Sequence, residues 1–196
     1  RLRFPGYAQT KVRKGVPEGW EVTKLKSVLE TKNGKSLPKV EHYEIEAAPE
    51  LFPVFGSNGL IGQSNKFNTE DALIVGRVGA YCGSINFQPG KLWATDNTII
   101  ANSKTERFTN EFARFFLKAI NLRNFASGSA QPMLTQGIIK NQELLLPPLK
   151  LVSKFTTIVK TLNNQKQTLQ TQNQTLRRTR DLLLPHLISG QLSVAE

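Results

Sequence analysis

Cysteine is nearly absent from this chain: Cys82 stands alone among 196 residues. One thiol excludes an internal disulfide framework and any multi-cysteine zinc site, and it suits a reducing cytoplasm. Histidine is as scarce, and the widely spaced His42 and His186 do not supply a metal centre. Long apolar runs are missing too. None approaches the ~20 residues of a membrane-spanning helix, and no signal peptide opens the chain. Acidic residues number 15 against 26 lysines and arginines, a formal net charge of +11. Such an excess favours a polyanionic partner while saying nothing of the fold.

What is present is an ordinary globular composition, 39% hydrophobic and 21% charged, enough for one core or for a domain with an appendage. The charge is uneven. Residues 1–40 carry ten bases and three acids, and 151–190 carry six and one, whereas 41–110 carry five and eight. A uniformly cationic membrane-binding surface does not look like that; a domain with basic faces does. The chain opens with Arg1 rather than Met, as a piece of something longer would.

Residues 1–20 are punctuated by Pro5, Gly6, Gly15, Pro17 and Gly19 and read as an irregular lead-in. EVTKLKSVLE follows, with Val22, Leu25, Val28 and Leu29 spaced for either a helix or a short strand. From Leu51 to Asn102, apolar bursts cut by glycine (PVFG, LIG, ALIVGRVG, SINF, TIIA) predict several short strands. The period changes over 108–125. Phe108, Phe112, Phe115, Phe116 and Ala119 fall on one face of an amphipathic helix that Thr109 or Asn110 would cap.

From Lys150 onward glycine and aromatics vanish, apart from Phe155, until Gly190. Val152, Phe155, Val159, Leu162, Lys166, Leu169, Asn173, Leu176, Arg180 and Leu183 alternate three and four apart, a heptad seam with leucine at one position of four consecutive heptads. The other seam position decays to Lys166, Asn173 and Arg180, which cost stability but fix register. Pro185 and the Ser-Gly at 189–190 are expected to end this helix. About 35 residues at 1.5 Å each reach ~50 Å, too long for a domain of ~150 residues to cover, so the seam is expected to need a partner. The expected fold is α+β: a globular domain of short strands and helices over 1–148, a long coiled-coil helix over 149–186, and a tail over 187–196.

Chemistry is mostly missing. Neither FGSNGLIG nor GRVGAYCGS has the spacing of a phosphate loop or the following helix that would hold phosphates. Cys82, in an apolar burst, reads as core rather than as a nucleophile. No motif of an adenosylmethionine site is visible. Pro17-Glu18 followed by Glu30-Thr31-Lys32 echoes a magnesium nuclease constellation, with Glu where the first acid is usually Asp; chance produces such triplets readily. What remains is a set of polar, basic and aromatic loop residues: Lys32, Lys35, Ser57, Asn58, Lys66, Arg77, Tyr81, Lys104, Ser129 and Gln131. Arg, Asn and Gln bind base edges with paired hydrogen bonds, and Lys, Ser and Thr serve phosphates. With the net charge, they point to nucleic-acid binding and to no metal site.

PVFGSNGLIGQSNKF, ALIVGRVGAYCGSINFQPGKLWATDNTII, GSAQPMLTQGIIKNQELLLPPL and LRRTRDLLLPHLISGQL, in this order, resemble the specificity subunit of type I restriction–modification systems. VPEGWEVTKLKSV is similar to the usual entry into a target-recognition domain of that family. His186 stands where the family often has Arg. The resemblance covers nearly the whole chain and implies half of a specificity subunit, one recognition domain plus its helical spacer. It implies that the domain reads one half of a split site on double-stranded DNA. The helix packs antiparallel against that of a second recognition half, in the same chain or a second copy, which sets the spacing of the half-sites. Two half-sites one turn, ~34 Å, apart suit such a helix. Methyltransferase subunits then dock and extrude the adenine, and restriction subunits join from outside. The polypeptide itself would carry neither catalysis nor cofactor. Two other readings use the same residues: the recognition end of a fused restriction–methylation enzyme, and a coiled-coil scaffold that binds protein.

Overall fold

The computed structural model describes residues 11–13, 15–37, 51–128 and 131–190, which fall into two compact units divided between Phe155 and Thr156. His42 and Ser129 lie outside the described residues. The first unit is the expected α+β domain. A two-residue ribbon, β1 (Val12–Arg13) with β2 (Val16–Pro17), leads in. EVTKLKSVLE then forms both structures its spacing allowed: β3 (Glu21–Lys24), a single helical turn α1 (Leu25–Val28), and β4 (Leu29–Asn33). Leu25 and Val28 of α1 and Leu29 of β4 are buried, whereas Val22 of β3 is exposed.

The five apolar bursts become β5 (Phe52–Gly56), β6 (Gly59–Ser64), β7 (Thr69–Gly76), β8 (Ile85–Ala94) and β9 (Thr98–Ser103). With β4 they make one sheet in the order β4-β9-β7-β8-β5-β6. Neighbours are antiparallel except β5 and β8, where Val54 and Phe55 run parallel to Trp93 and Ala94. The final strand, β10 (Glu143–Leu146), pairs separately with β3.

β7 explains why its sequence is a continuous apolar run rather than an alternation. Leu73 and Val75 enter one core beside Ile99, Ala101, Phe108, Leu117 and Leu134, while Ala72 and Ile74 enter a second with Phe55, Leu92, Ala94 and Ile100. A strand covered on both faces has no polar side to show.

The sheet is also rolled. Leu92 lies opposite Thr69 and Thr98 opposite Gly76. On a flat sheet those points would be ~25 Å apart, beyond the ~20 Å that six extended residues span. The β7–β8 hairpin therefore curls, with its bulge at Asp71 (φ 47), whose carboxylate accepts a 2.8 Å hydrogen bond from the Gly90 amide. Curling brings the β8–β9 turn to the tip of the β5–β6 hairpin.

The amphipathic helix is α2 (Asn110–Ala119), with Thr109 as its cap: its hydroxyl accepts from the Phe112 amide at 3.3 Å. The buried face differs by one position from the expected stripe. Ala113 and Leu117 are the buried residues, and Phe112 and Phe116 pack edge-on against Phe108, whereas Phe115 and Ala119 are exposed. A small residue is what lets the helix axis approach the sheet, and Ala113 supplies it. A short helix α3 (Gln136–Lys140), capped by the Thr135 hydroxyl, buries Ile139.

The last helix, α4, runs from Leu149 to Ile188, 40 residues or ~60 Å. Its first residues belong to the globular unit: Val152 is buried and Phe155 meets the rings of Phe112 and Phe115 edge-on at 5.7 and 5.4 Å. The expected stop at Pro185 falls inside the helix, which ends at Ile188. Proline there deletes one amide hydrogen bond in the last turn, and the Pro185 carbonyl still accepts from the Ser189 amide at 3.0 Å. In the second unit Val159 is buried, while Leu162, Leu169, Leu176 and Leu183 are 45–65% exposed.

Candidate nucleic-acid interface

The rolled sheet gathers three turns. The first is the hairpin tip Ser57–Asn58, between Gly56 and Gly59, which are opposite in the β5–β6 ladder. Gly59 (φ +96) supplies the left-handed backbone that reverses the chain. The second is the 77–84 loop joining β7 to β8, and the third is Thr95–Asn97, joining β8 to β9. Together with Ser36 and Leu37 they line an open groove of about 470 Å³, which Ile61, Val78 and Tyr81 make partly apolar.

Backbone carbonyls of the third turn are consumed internally. Asn97 O accepts from the Ser57 hydroxyl and from the Arg77 amide (2.9 Å); Asp96 O accepts from the Arg77 guanidinium (3.3 Å). Thr95 O takes the Thr98 amide and hydroxyl. With its backbone tied down, the turn leaves the side chains of Asp96 and Asn97 exposed. The Asp96 carboxylate accepts from the Ser36 hydroxyl at 2.9 Å. The Thr95 hydroxyl is buried, with no hydrogen-bond partner among the described residues. Close packing fixes the loop as well: a Cβ on Gly76 would strike the Tyr81 carbonyl, and one on Gly83 would lie 2.6 Å from the Arg123 amide. Arg123 holds the loop's far side by donating to Ala80 O at 2.6 Å.

Of the residues singled out from sequence, Ser57, Asn58 and Tyr81 line the groove, and Arg77 is bonded into its third turn. Lys35 stands on the rim, exposed, with its backbone bonded to Ala94 O and to the Trp93 indole. Gln131 lies exposed beside Pro132, whose carbonyl accepts from the Gly79 amide. Lys32 is exposed on β4, three positions before Lys35. Two lysines lie elsewhere. Lys104 follows β9 at the end away from Thr98, ~20 Å along the strand, and donates to the Lys26 carbonyl at 3.2 Å. Lys66 is exposed next to Phe67, where Lys91 sits 4.8 Å from the ring centre. Asp96, Asn97 and Ser36 are exposed polar groove residues that sequence reasoning missed; the Thr-Asp-Asn break in WATDNTII was a signal for the first two, and Ser36 had none.

The groove presents a hydrogen-bonding surface. Burial pushes the Cys82 thiol up from its usual pKa, against smaller opposing effects of a hydrogen bond with the Leu134 backbone and the nearby Arg123 charge. Buried as it is, it is core and not a nucleophile. Among the described residues no three His, Cys, Asp or Glu side chains come together as a metal site would need. No helix among them is long and apolar enough to cross a membrane.

Residues 17–178 match the family model of the type I restriction modification DNA specificity domain. The chain belongs to that family. The specificity domain is 27% identical over 146 residues, 70% of this chain, to the EcoprrI specificity subunit of Escherichia coli. It is 28% identical over 208 aligned positions, 93% of the chain, to the MjaIX specificity subunit of Methanocaldococcus jannaschii. It spans 36% and 46% of those two relatives. The S subunit of the type I system of M. genitalium shares its fold, with a TM-score of 0.68 at 21% identity over 91% of this chain and 48% of that one. The HsdS subunit of Thermoanaerobacter tengcongensis does so at 0.56 and 17%, over 94% and 49%.

Proposed function

We propose that this specificity domain reads one half of a bipartite site on double-stranded DNA, in the cytoplasm, as the non-catalytic address unit of a type I restriction–modification complex. Methyltransferase subunits would supply the adenosylmethionine chemistry, and restriction subunits the cleavage. The match of one family model to residues 17–178 carries this reading, because it takes in the groove and most of the long helix. The groove fits the task in kind. Ser57, Asn58 and Asn97 offer neutral donors and acceptors suited to base edges, and Arg77 lies beside them for a guanine or a phosphate. Lys35 and Lys32 on the rim suit the duplex backbone.

Deleting the gene and mapping adenine methylation in the source genome tests this. One split motif should vanish, and its survival at full occupancy would remove the reading. In solution, affinity for the duplex should fall at least a hundredfold between 50 mM and 200 mM salt if several phosphates are neutralised.

A further inference from the structure

Asp96 is out of place on a surface that meets a polyanion. Among the described residues lining the groove it alone carries a charged side chain, and the charge is negative. A carboxylate has no proton to donate, so a phosphate gains no hydrogen bond from it and is repelled. The side chain nevertheless stands exposed on the β8–β9 turn.

That turn keeps its shape without the carboxylate. The Thr95 amide donates to Phe55 O at 2.9 Å, Asn97 O takes the Arg77 amide, and Thr95 O takes the Thr98 amide. Gly34 closes the remaining side, where a Cβ would strike the Thr95 and Ala94 carbonyls. The carboxylate itself accepts one hydrogen bond, from the Ser36 hydroxyl to Oδ2 at 2.9 Å, and Oδ1 has none among the described residues. A fixed backbone therefore presents an acceptor that is oriented and half unused, as a prepared specificity contact requires.

On the major-groove edge of a duplex the donors open to such an acceptor are the N4 amine of cytosine and the N6 amine of adenine. Arg77 decides between them. Its backbone is held on both sides, the amide by Asn97 O and the carbonyl by the Leu134 amide at 2.9 Å. Its guanidinium donates to the Asp96 backbone oxygen at 3.3 Å and not to the carboxylate, so the two charges stand side by side without neutralising each other. A fork of donors beside an acceptor complements one base pair: guanine offers N7 and O6 to the fork, and the paired cytosine offers its N4 amine to the carboxylate.

We infer that Arg77 and Asp96 together read one G·C pair of the half-site, Arg77 on the guanine and Asp96 on the N4 amine of its cytosine. The other pairs fail for physical reasons. With A·T the fork meets the adenine amine and the carboxylate meets thymine O4, donor on donor and acceptor on acceptor. C·G sets the carboxylate against the guanine lone pairs. T·A leaves one bond to each side chain, but it denies the fork a second acceptor and adds the thymine methyl.

This inference rests on the reading that the groove binds duplex DNA. The full chain, assembled with its methyltransferase subunits, is titrated with duplex carrying the mapped methylated motif, each base pair replaced in turn. Asp96→Ala should relax discrimination against A·T by about tenfold at a single G·C pair, and Arg77→Ala should relax the same pair. Discrimination retained at every pair by Asp96→Ala would overturn the inference. So would relaxation at a pair other than the one Arg77→Ala relaxes, or an equal loss on all duplexes from a variant that folds as the parent does.

Should Asp96→Ala fail to fold, the unaltered protein decides. Pyrimidin-2-one lacks only the N4 amine of cytosine, and it is placed at each cytosine of the motif and at one outside it. The cytosine of the pair that Arg77→Ala relaxes should lose about tenfold more affinity than the outside position. No excess loss there would overturn the inference. All these outcomes leave the proposed function standing. An unaltered complex that binds the mapped duplex no better than an unrelated one would sink both.

Discussion

The two units of this chain use apolar residues in opposite ways. In the globular unit Leu73, Ile74, Leu92 and Phe108 are fully buried, and a strand covered on both faces anchors the fold. In the second unit Leu162, Leu169 and Leu176 recur just as regularly yet stand exposed. Burial inside one chain stabilises that chain; a periodic exposed seam stabilises something only when a second surface arrives. The same residue type therefore has two jobs, and the environment decides which.

Substitutions that move each unit separately probe the contrast. The largest effect is expected from Phe108→Ala, which removes a fully buried ring packed edge-on with Phe112 and Phe116. Denaturant unfolding should lose about 3–5 kcal/mol. Leu176→Glu, by contrast, should leave the unfolding of the globular unit unchanged. A comparable loss from it would show that the exposed seam is part of the intramolecular core.

Next comes Gly83→Ala. Its Cβ would crowd the Arg123 backbone, and φ is +85, so a cost of about 1–3 kcal/mol is expected with altered duplex affinity from the displaced 77–84 loop. A variant as stable as the parent would show that the loop gives way easily and is no rigid wall.

Arg77→Ala should leave stability nearly intact while weakening binding to the cognate duplex by about 1–3 kcal/mol, with specificity relaxed at one base pair, if Arg77 meets a guanine. A uniform loss across sequences would make it a phosphate contact. The smallest effect is expected for Arg107→Ala. Its 3.0 Å ion pair with Glu21 is solvent-exposed and should contribute no more than about 1 kcal/mol, falling with added salt.

Much of the fold could be read from the residues because local pattern and tertiary role coincide there. Glycine-bounded bursts mark β5 to β9, and the period-3.6 phenylalanines mark α2. Elsewhere tertiary context decided. Ala113, not Phe115, faces inward because the helix must come close to the sheet, and a hydrophobicity pattern cannot register a distance. Leu25 and Val28 belong to a single helical turn between two strands, which no period could resolve. Pro185 sits in the last turn, where one missing amide costs little.

The candidate site was legible in chemistry more than in place. Ser57, Asn58, Arg77 and Tyr81 meet because the β7–β8 hairpin curls, and nothing local in the sequence announces that curl beyond Asp71 and Gly90. For the same reason Lys104 falls in the set although it lies at the other end of β9, while Asp96 and Asn97 are missing from it.

The central claim is that a groove grips each half-site while a paired helix holds two grooves at a set separation. Measuring the affinity of the complex with its methyltransferase subunits, on duplexes whose half-sites are kept and whose spacer is lengthened or shortened by one base pair, tests it most directly. The account predicts a sharp optimum, with at least a tenfold loss on either side. Affinity indifferent to spacer length, with both half-sites still required, would contradict it.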